Sequence, residues 1–200
     1  MLKVYGDVYS GNCFKVKLML EQLSLPYEWI AIDILKGETR TKAFLDKNPN
    51  GKIPVLQTEA GDFLCESNAI LYYLAEDSEF VPRDKLERAQ VAQWMFFEQY
   101  SHEPNIATAR YIVRYLGRPA EEEQRLQQKM APGYRALDVM EKHLSCRSYF
   151  VAQHYTIADI ALYAYTHVAD EGGFDLSKYS AIRAWLGRVK SQPNYVGMDG

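Results

Sequence analysis

The sequence has few cysteines and no long run of apolar residues. Its three cysteines, Cys13, Cys65 and Cys146, are odd in number and widely spaced. They fit a reducing compartment better than a disulfide framework. No apolar run approaches the roughly 20 residues that cross a bilayer, and no signal-peptide segment precedes the first strand pattern. We therefore expect a cytoplasmic protein that has no membrane segment.

An excess of charge of either sign is also missing. The chain carries 23 Lys and Arg against 26 Asp and Glu, a net charge of -3, and the two signs are interspersed. A nucleic-acid-binding protein would show a basic stripe, so we expect no nucleic-acid partner. The four histidines are too scattered for a metal site. The hydrophobic share of 48% is ordinary for a protein that buries a core.

Strand and helix patterns alternate over the first 77 residues. Runs of β-branched and aromatic residues predict the strands, and apolar residues at helical spacing predict the helices. We predict strands over 2–5, 27–32, 54–57 and 63–65, and helices over 13–23, 42–46 and 67–76. The order βαβ, then α, then ββα is the thioredoxin-like arrangement. The sequence therefore predicts an α/β domain over residues 1–77.

Beyond residue 77 the strand patterns disappear. A linker is expected over 78–84, and helical patterns cover 85–116, 120–144, 160–169 and 179–191. Pro132-Gly133 predicts a break or kink in the second of these helices. Thr156 and Asp159 resemble a capping box at the start of the third, with Asp in place of the usual Glu. Residues 85–200 are therefore predicted to form an all-α domain.

The first candidate for chemistry is the loop from Gly6 to Cys13, which joins the first strand to the first helix. Ligands of open α/β sheets gather where strands end and helices begin. The free N–H groups and the dipole of a helix N-terminus favour an anion such as a thiolate. Ser10 and Asn12 add a hydroxyl and an amide there. The alternative is that Ser10 or Asn12 only caps the helix.

The second candidate is the turn Asn48 to Pro54, in which Ile53-Pro54 is a possible cis peptide. Few X-Pro bonds are cis, so the sequence alone cannot establish it. A cis bond would leave the Ile53 N–H and C=O unpaired by the sheet, and a peptide ligand could pair there like an added strand. The alternative is a rigid turn that opens a strand.

The third candidate is Glu66-Ser67, where a strand turns into a helix. The Ser67 hydroxyl and the first N–H groups of the helix suit a carboxylate, and Glu66 suits an ammonium group. These are the two charged ends of a γ-glutamyl group. A serine at a helix start is also commonly only a cap.

Taken together, these motifs closely resemble those of the cytosolic glutathione transferases. The resemblance rests on Ser-x-Asn at residue 10, Lys-Ile-Pro-Val at 52 and Glu-Ser at 66, and it extends to Tyr-Thr-Ile-Ala-Asp at 155–159. It implies a thioredoxin-like N-terminal domain that binds glutathione and an all-helical glutathione transferase C-terminal domain. Glutathione would be a co-substrate, with no permanently bound cofactor and no metal.

The sulfur site implied by this resemblance is Ser10 with Asn12, as in bacterial theta- and nu-like members. Gly6 occupies the position at which other classes carry a tyrosine, and Tyr5 is one residue away and would face the other side of the sheet. Asn12 acting alone and Tyr9 in the same loop are the alternatives for the group that reaches the sulfur.

The resemblance also implies the residues that bind the rest of glutathione. Thr39 stands where some relatives carry His or Gln at the glycyl end, a departure from the pattern. In a homodimer, the neighbouring subunit's long helix would bring Glu98 to the glutathione ammonium; otherwise Glu98 is a solvated or intrahelical charge. The expected glutathione-binding residues are Thr39, Lys52, Ile53, Glu66, Ser67 and Glu98.

A pocket for the second substrate is expected between the first loop and the start of the helical domain. Aromatic and apolar side chains there suit small electrophiles. Arg110 could stabilise negative charge in a transition state or form an ion pair with Glu103. The candidate pocket residues are Tyr9, His102, Ile106, Arg110 and Tyr111.

The leading hypothesis is conjugation of glutathione to a small, mostly apolar electrophile. A second is glutathione-dependent reduction of disulfides or peroxides. A mechanism based on Cys13 is a further alternative, since a helix start lowers a thiol pKa. A non-catalytic binding protein is the fourth, although such a protein need not keep the glutathione motifs.

Overall fold

The computed structural model describes residues 1–198. Contacts along the chain divide it into two compact units. The first comprises Met1–Ser78 and the segment that begins at Pro193, and the second comprises Glu79–Gln192. The linker predicted over residues 78–84 stays a prediction.

A four-stranded mixed sheet forms the centre of the first unit. The strands are β1 (Leu2–Gly6), β2 (Tyr27–Ala31), β3 (Val55–Gln57) and β4 (Phe63–Cys65). Their order is β2-β1-β3-β4, with β1 parallel to β2 and β3 antiparallel to β1 and β4. The helices are α1 (Gly11–Gln22), α2 (Lys42–Leu45) and α3 (Ser67–Ala75). The predicted thioredoxin-like fold is confirmed.

The end of β1 packs closely against α1. A Cβ atom at Gly6 would lie 2.8 Å from Cys13 Sγ and 3.1 Å from a carbon of the Trp29 ring. Real Cβ atoms do not approach other atoms so closely, so position 6 has no room for a side chain. Cys13 is completely buried at this contact. The glycine thus sets how closely α1 follows the strand.

The second unit is built from helices. They are α4 (Lys85–Phe97), α5 (Glu103–Arg110), α6 (Glu123–Leu144), α7 (Ile157–Thr166) and α8 (Ser180–Lys190). This confirms the predicted helical class. Within residues 1–198, no helix is long and apolar enough to cross a membrane.

Between α4 and α5 the backbone remains helical but forms a π-helical turn at Glu98–His102, and a second such turn follows at Tyr111–Tyr115. The single helix predicted over 85–116 is therefore a run of α and π segments. Pro104 accounts for the first turn: it has no N–H for the Tyr100 carbonyl, and a wider turn accommodates that loss.

Of the break or kink predicted at Pro132-Gly133, the break does not occur, because α6 runs without interruption from Glu123 to Leu144. Gly133 instead makes room for an aromatic ring. A Cβ atom there would lie 2.5 Å from two ring carbons of Phe174. The Pro-Gly pair therefore marks a close packing contact and not the end of a helix.

The predicted capping box at the start of α7 is present. The Asp159 carboxylate is completely buried and accepts hydrogen bonds from Thr156 N (3.0 Å), Thr156 Oγ1 (3.1 Å), Phe150 N (3.2 Å) and Trp185 Nε1 (2.9 Å). Burial raises the pKa of this carboxyl to about 6. One side chain thus joins the start of α7 to α8 and to the segment before α7.

Candidate active site in the first unit

Three loops leave the sheet of the first unit at the same end. Tyr5, near the end of β1, pairs with Val55 at the start of β3, and Val55 pairs with Cys65 at the end of β4. The loop after β1, the turn before β3 and the start of α3 after β4 must therefore adjoin one another. These are the three segments that carry the predicted site residues.

Ser10 is the N-cap of α1. Its backbone is extended (φ -78°, ψ 123°), and its Oγ accepts a hydrogen bond from Cys13 N at 3.4 Å. The Ser10 N–H donates to the Asp7 carbonyl at 3.1 Å, and Asp7 Oδ1 accepts from Tyr9 N at 2.8 Å, which orders the loop. The capping role is thus real, but a hydroxyl that accepts from a backbone N–H keeps its own proton to donate.

Asn12, in the first turn of α1, meets the first turn of α3. The Ser67 hydroxyl donates to Asn12 Oδ1 at 3.2 Å. Lys15 Nζ donates to Ser67 Oγ and to Asn68 Oδ1, each at 3.4 Å. The structure therefore brings together two of the three predicted motifs, and it adds a buried lysine beside them.

The N-terminus of α3 has an unusual backbone conformation. Its N-cap residue, Glu66, has φ 67° and ψ 109°, a region that residues other than glycine rarely adopt. Within residues 1–198 the Glu66 side chain makes no capping hydrogen bond, so it does not satisfy the first N–H groups of α3. Glu66 is exposed and Ser67 is buried. Strained backbone of this kind is concentrated at ligand sites.

Side-chain hydrogen bonds shape the turn before β3. The buried Asn48 donates from Nδ2 to the Lys52 carbonyl (2.7 Å) and accepts at Oδ1 from Asn50 N (3.0 Å). The Ile53-Pro54 bond is cis, which was one of the two alternatives that the sequence left open. Across the described chain, neither the N–H nor the C=O of Ile53 has a hydrogen-bond partner. Lys52 is exposed.

Thr39 lies in the short 3₁₀ turn Glu38–Arg40 and is 8% exposed. Its carbonyl oxygen is 3.0 Å from the position of an ideal Cβ on Gly51. The structure thus places Thr39 against the turn that carries Lys52 and Ile53. Little of its side chain is accessible, however, so Lys52 is the better placed of the two for a carboxylate.

Cys13 is not a candidate nucleophile. It is completely buried, and that burial raises the pKa of its thiol to about 12, against a smaller opposing effect of the Ser10 hydrogen bond. Burial also raises the pKa of the Cys65 thiol. A reactive cysteine needs an accessible thiol whose pKa is lowered, so the Cys13 mechanism is not supported.

Tyr5 donates its hydroxyl to Gln57 Oε1 at 3.1 Å.

Four of the residues assigned to ligands in the second unit lie inside that unit. Glu98, His102 and Ile106 have no exposed surface, and Arg110 is 3% exposed. Gln99 Nε2 donates to Glu98 Oε2 at 2.8 Å, His102 Nε2 lies 2.9 Å from Thr166 Oγ1, and Arg110 Nε donates to Glu171 Oε2 at 2.8 Å.

Side chains that are at most 3% exposed offer a ligand almost nothing to contact in this conformation. We therefore do not carry Glu98, His102, Ile106 or Arg110 into the proposed site. Tyr9, which is 45% exposed, and Tyr111, which is partly exposed, remain as candidates for the second substrate.

Sequence reasoning missed Lys15. A signal was present, because Lys15 precedes Leu18 and Met19 by three and four residues, the spacing of one helix face. Both of those residues are completely buried. A lysine on the apolar face of a helix is rare enough to be informative, since an unpaired buried charge is costly. In the part of the chain that the structure describes, no group of three or more His, Cys, Asp or Glu side chains could hold a metal.

Comparison with known proteins identifies the family. Residues 4–82 match the profile of the glutathione S-transferase N-terminal domain, and residues 103–193 match that of the C-terminal domain. A crystal structure of glutathione S-transferase from Pseudomonas fluorescens Pf-5 is 62% identical, with a TM-score of 0.97 over 98% of both chains. The chain belongs to the glutathione S-transferase family.

Two other similar proteins are described in terms of disulfides. The disulfide-bond oxidoreductase YfcG of Escherichia coli K12 is 32% identical, over 94% of this chain and 91% of its own. A glutathione transferase from Pseudomonas putida, solved with one glutathione disulfide per subunit, is 27% identical with a TM-score of 0.83, over 96% of this chain and 88% of its own.

In this glutathione S-transferase family member, the site combines three features that favour an anion. The N-termini of α1 and α3 meet through the Asn12–Ser67 hydrogen bond, and both contribute the positive ends of helix dipoles. The ammonium group of Lys15 lies beside them. The arrangement can therefore hold a thiolate or a carboxylate without a metal ion.

Proposed function

We propose that this protein binds glutathione at the common end of β1, β3 and β4 and activates its thiol for attack on a small electrophile. The observation that carries the proposal is the hydrogen bond from Ser67 to Asn12. It joins the residue proposed to hold the γ-glutamyl carboxylate to a residue proposed to hold the sulfur. One peptide ligand can therefore reach both.

The thiol needs only modest stabilisation. A free thiol with a pKa near 8.5 is about 3% thiolate at pH 7, and lowering that pKa by about two units requires about 2.7 kcal/mol. A hydrogen bond to a charged acceptor contributes about 1.5–3 kcal/mol, and a helix N-terminus adds about 0.3–1 kcal/mol. Ser10, Asn12 and α1 together meet that requirement without a general base.

The remainder of glutathione has complementary groups in the first unit. The backbone N–H of Ser67 at the start of α3 suits the γ-glutamyl carboxylate, and the exposed Glu66 suits its ammonium group. The Ile53 backbone suits the cysteinyl residue in antiparallel pairing. Lys52 suits the glycyl carboxylate, with Thr39 beside it. Tyr9 is the candidate contact of the apolar second substrate in this unit, and Tyr111 of the second unit stays a prediction.

The test is to compare Ser10→Ala, Asn12→Ala and Tyr9→Phe with the wild-type protein. We expect Ser10→Ala and Asn12→Ala each to lower conjugation at pH 7 by about 10- to 100-fold, the loss of a hydrogen bond to a charged acceptor worth about 1.5–3 kcal/mol. Tyr9→Phe should keep the rate. The measurements are glutathione binding by calorimetry and the pH dependence of conjugation to a chromogenic aryl halide.

Thr41→Ala is a matched control for Ser10→Ala. Thr41 is the N-cap of α2, and its hydroxyl accepts from Phe44 N at 3.3 Å, so the variant loses a comparable cap in the same unit. If Ser10→Ala and Asn12→Ala both retain the full rate, the assignment of the sulfur site is wrong. If the wild-type protein does not bind glutathione at millimolar concentration, the non-catalytic alternative replaces the enzyme hypotheses.

A second candidate function is disulfide reduction with glutathione as the reductant. It is favoured by the similarity to YfcG and by the buried Cys13, which leaves the redox thiol to glutathione. A glutathione thiolate would attack one sulfur of the substrate disulfide and release the other as a thiol. A second glutathione would then attack the mixed disulfide, giving glutathione disulfide and the second thiol. Rates with a disulfide and with an aryl halide distinguish the two functions.

We further propose that the protein is a cytoplasmic homodimer. Phe96 is 73% exposed and Tyr100 is 89% exposed. The two are four residues apart, so they share one face of the helical segment that begins in α4 and continues through the π-helical turn at Glu98–His102. Adjacent exposed aromatic side chains of this kind mark interaction surfaces.

A further inference from the structure

Lys15 has an unusual position for a charged residue. It lies in α1 between Phe14 and Val16, and none of its surface is exposed. Transferring an ammonium group out of water is costly, and folded proteins tolerate it only where hydrogen bonds compensate. The proposed reaction makes no use of this group, although it is hydrogen-bonded to Ser67 in the proposed glutathione site.

The hydrogen bonds of Lys15 lead directly to that site. Nζ is 3.4 Å from Ser67 Oγ and 3.4 Å from Asn68 Oδ1. Ser67 Oγ is in turn 3.2 Å from Asn12 Oδ1. Lysine, Ser67 and Asn12 therefore form a chain of three polar groups that runs from the core of the first unit to the first turn of α1.

The direction of each hydrogen bond in this chain follows from the chemistry of the lysine. An ammonium group can only donate, so Ser67 Oγ must accept from Lys15. The Ser67 hydroxyl is then free to donate its single proton to the Asn12 carbonyl oxygen. That bond fixes which way round the Asn12 amide stands: Oδ1 faces Ser67, and the Nδ2 group on the same carbon is directed away from it. Asn12 thus presents a donor, and not an acceptor, on the side away from Ser67.

A thiolate accepts hydrogen bonds and cannot donate them. With the amide reversed, Oδ1 would face the sulfur and repel the thiolate. We propose that Lys15 is a positioning residue that, through Ser67, holds the Asn12 amide in the orientation that donates to the glutathione sulfur. This inference rests on the proposed function, because it assigns Asn12 to the glutathione thiolate.

The decisive variant is Lys15→Met, which keeps an unbranched apolar stem and removes the donor. The measurement is the ultraviolet absorbance of the thiolate of bound glutathione as a function of pH, at saturating glutathione. We expect the pKa of the bound thiol to rise by about one pH unit, the effect of losing a fixed hydrogen bond to the charged form. Lys17→Met, a half-buried lysine of the same helix, is the control and should leave the pKa unchanged.

The same substitution in an Asn12→Ala background separates positioning from a direct effect of the charge. If Lys15 acts through Asn12, Lys15→Met adds no further shift when Asn12 is already absent. An equal shift in both backgrounds means that the ammonium acts on the sulfur through its field, and it overturns the proposal. No shift in the wild-type background overturns it as well.

Should Lys15→Met not fold, Ser67→Ala carries the test. Ser67→Ala keeps the ammonium group but breaks the series of hydrogen bonds from Lys15 to Asn12. We therefore expect the pKa of the bound thiol to be higher in Ser67→Ala than in the wild-type protein. The pKa should be the same in the double variant Ser67→Ala/Asn12→Ala as in Asn12→Ala alone. If the wild-type protein does not lower the pKa of the glutathione thiol, the proposed function is wrong. If the wild-type protein lowers that pKa but neither Lys15→Met nor Ser67→Ala changes it, only the role of Lys15 is wrong.

Discussion

At the scale of single residues, Gly6 shows how packing and the chemistry of the site depend on one another. The family resemblance puts position 6 where other classes carry a tyrosine, and the close approach of Cys13 and Trp29 leaves no space there for a side chain. In the proposed site, a hydroxyl for the sulfur therefore comes from the loop that follows. Ser10 is the hydroxyl-bearing residue at the helix start itself.

Gly6→Ala should destabilise the protein by about 1–3 kcal/mol, because the added methyl overpacks a rigid site. Thermal or urea unfolding measures the effect. Gly187→Ala is the matched control: a Cβ atom on this α8 glycine meets nothing within 4 Å, so a small gain of about 0.5–1 kcal/mol is expected from helix propensity. Equal stability of Gly6→Ala and wild type would show that α1 shifts freely from the strand.

At the scale of secondary-structure elements, the start of α7 depends on one buried carboxyl. Asp159 accepts two hydrogen bonds from Thr156, one from Phe150 and one from the Trp185 indole. These donors favour its charged form, but burial dominates and raises its pKa to about 6, above the ordinary value of 3.8. Folding of the second unit is therefore coupled to the protonation of this group.

The sign of that coupling follows from the two pKa values. Between about pH 4 and pH 6 the folded state holds a proton on Asp159 that the unfolded state has lost, so the free energy of unfolding decreases as the pH rises. In this range the free energy of unfolding decreases by about 1.4 kcal/mol for each pH unit. The amide in Asp159→Asn does not titrate, so the free energy of unfolding of this variant lacks this dependence on pH.

We expect Asp159→Asn to be less stable than wild type throughout, since an amide accepts fewer hydrogen bonds than a carboxyl in this network. The difference between the two should be largest near pH 4 and should shrink towards pH 6. Urea unfolding of both proteins across this range provides the measurement. A difference that is constant with pH would mean that burial does not raise the pKa of Asp159.

At the scale of the whole molecule, the most exposed aromatic side chains occur together. Phe96 and Tyr100 lie one helical turn apart, while Glu98 between them is completely buried. The π-helical turn at Glu98–His102 directs the two polar residues at its ends into the core of the second unit. The aromatic rings remain available for a second copy of the chain.

Phe96→Glu and Tyr100→Glu should each raise the dissociation constant of the proposed dimer by about 10- to 100-fold, the loss of about 1.5–3 kcal/mol of apolar burial. Light scattering over a dilution series measures it. Val139→Glu introduces the same charge at a 47% exposed apolar position of α6 and should leave the dimer intact. A wild-type protein that is monomeric at micromolar concentration rules out the proposal.

Most of the fold was predictable because its signals are local. The strand and helix patterns, the turn before β3 and the capping box at Thr156 each depend on residues a few positions apart. The errors arose where a contact is distant in sequence. Pro132-Gly133 suggested a break because the pattern cannot show that the Phe174 ring packs against Gly133. The π turn at Glu98–His102 leaves the apolar spacing of one long helix almost unchanged.

The sequence by itself determined the class of fold, the family and the motifs at Ser10, Ile53 and Glu66, because residue types at short spacings carry that information. Only the tertiary structure decided which of these residues adjoin. It brings Asn12 to Ser67 across 55 positions of sequence, buries Lys15 beside them, and withdraws Glu98 and His102 from the surface. Burial and hydrogen-bond direction depend on the whole packed environment of a side chain, and no local pattern contains that environment.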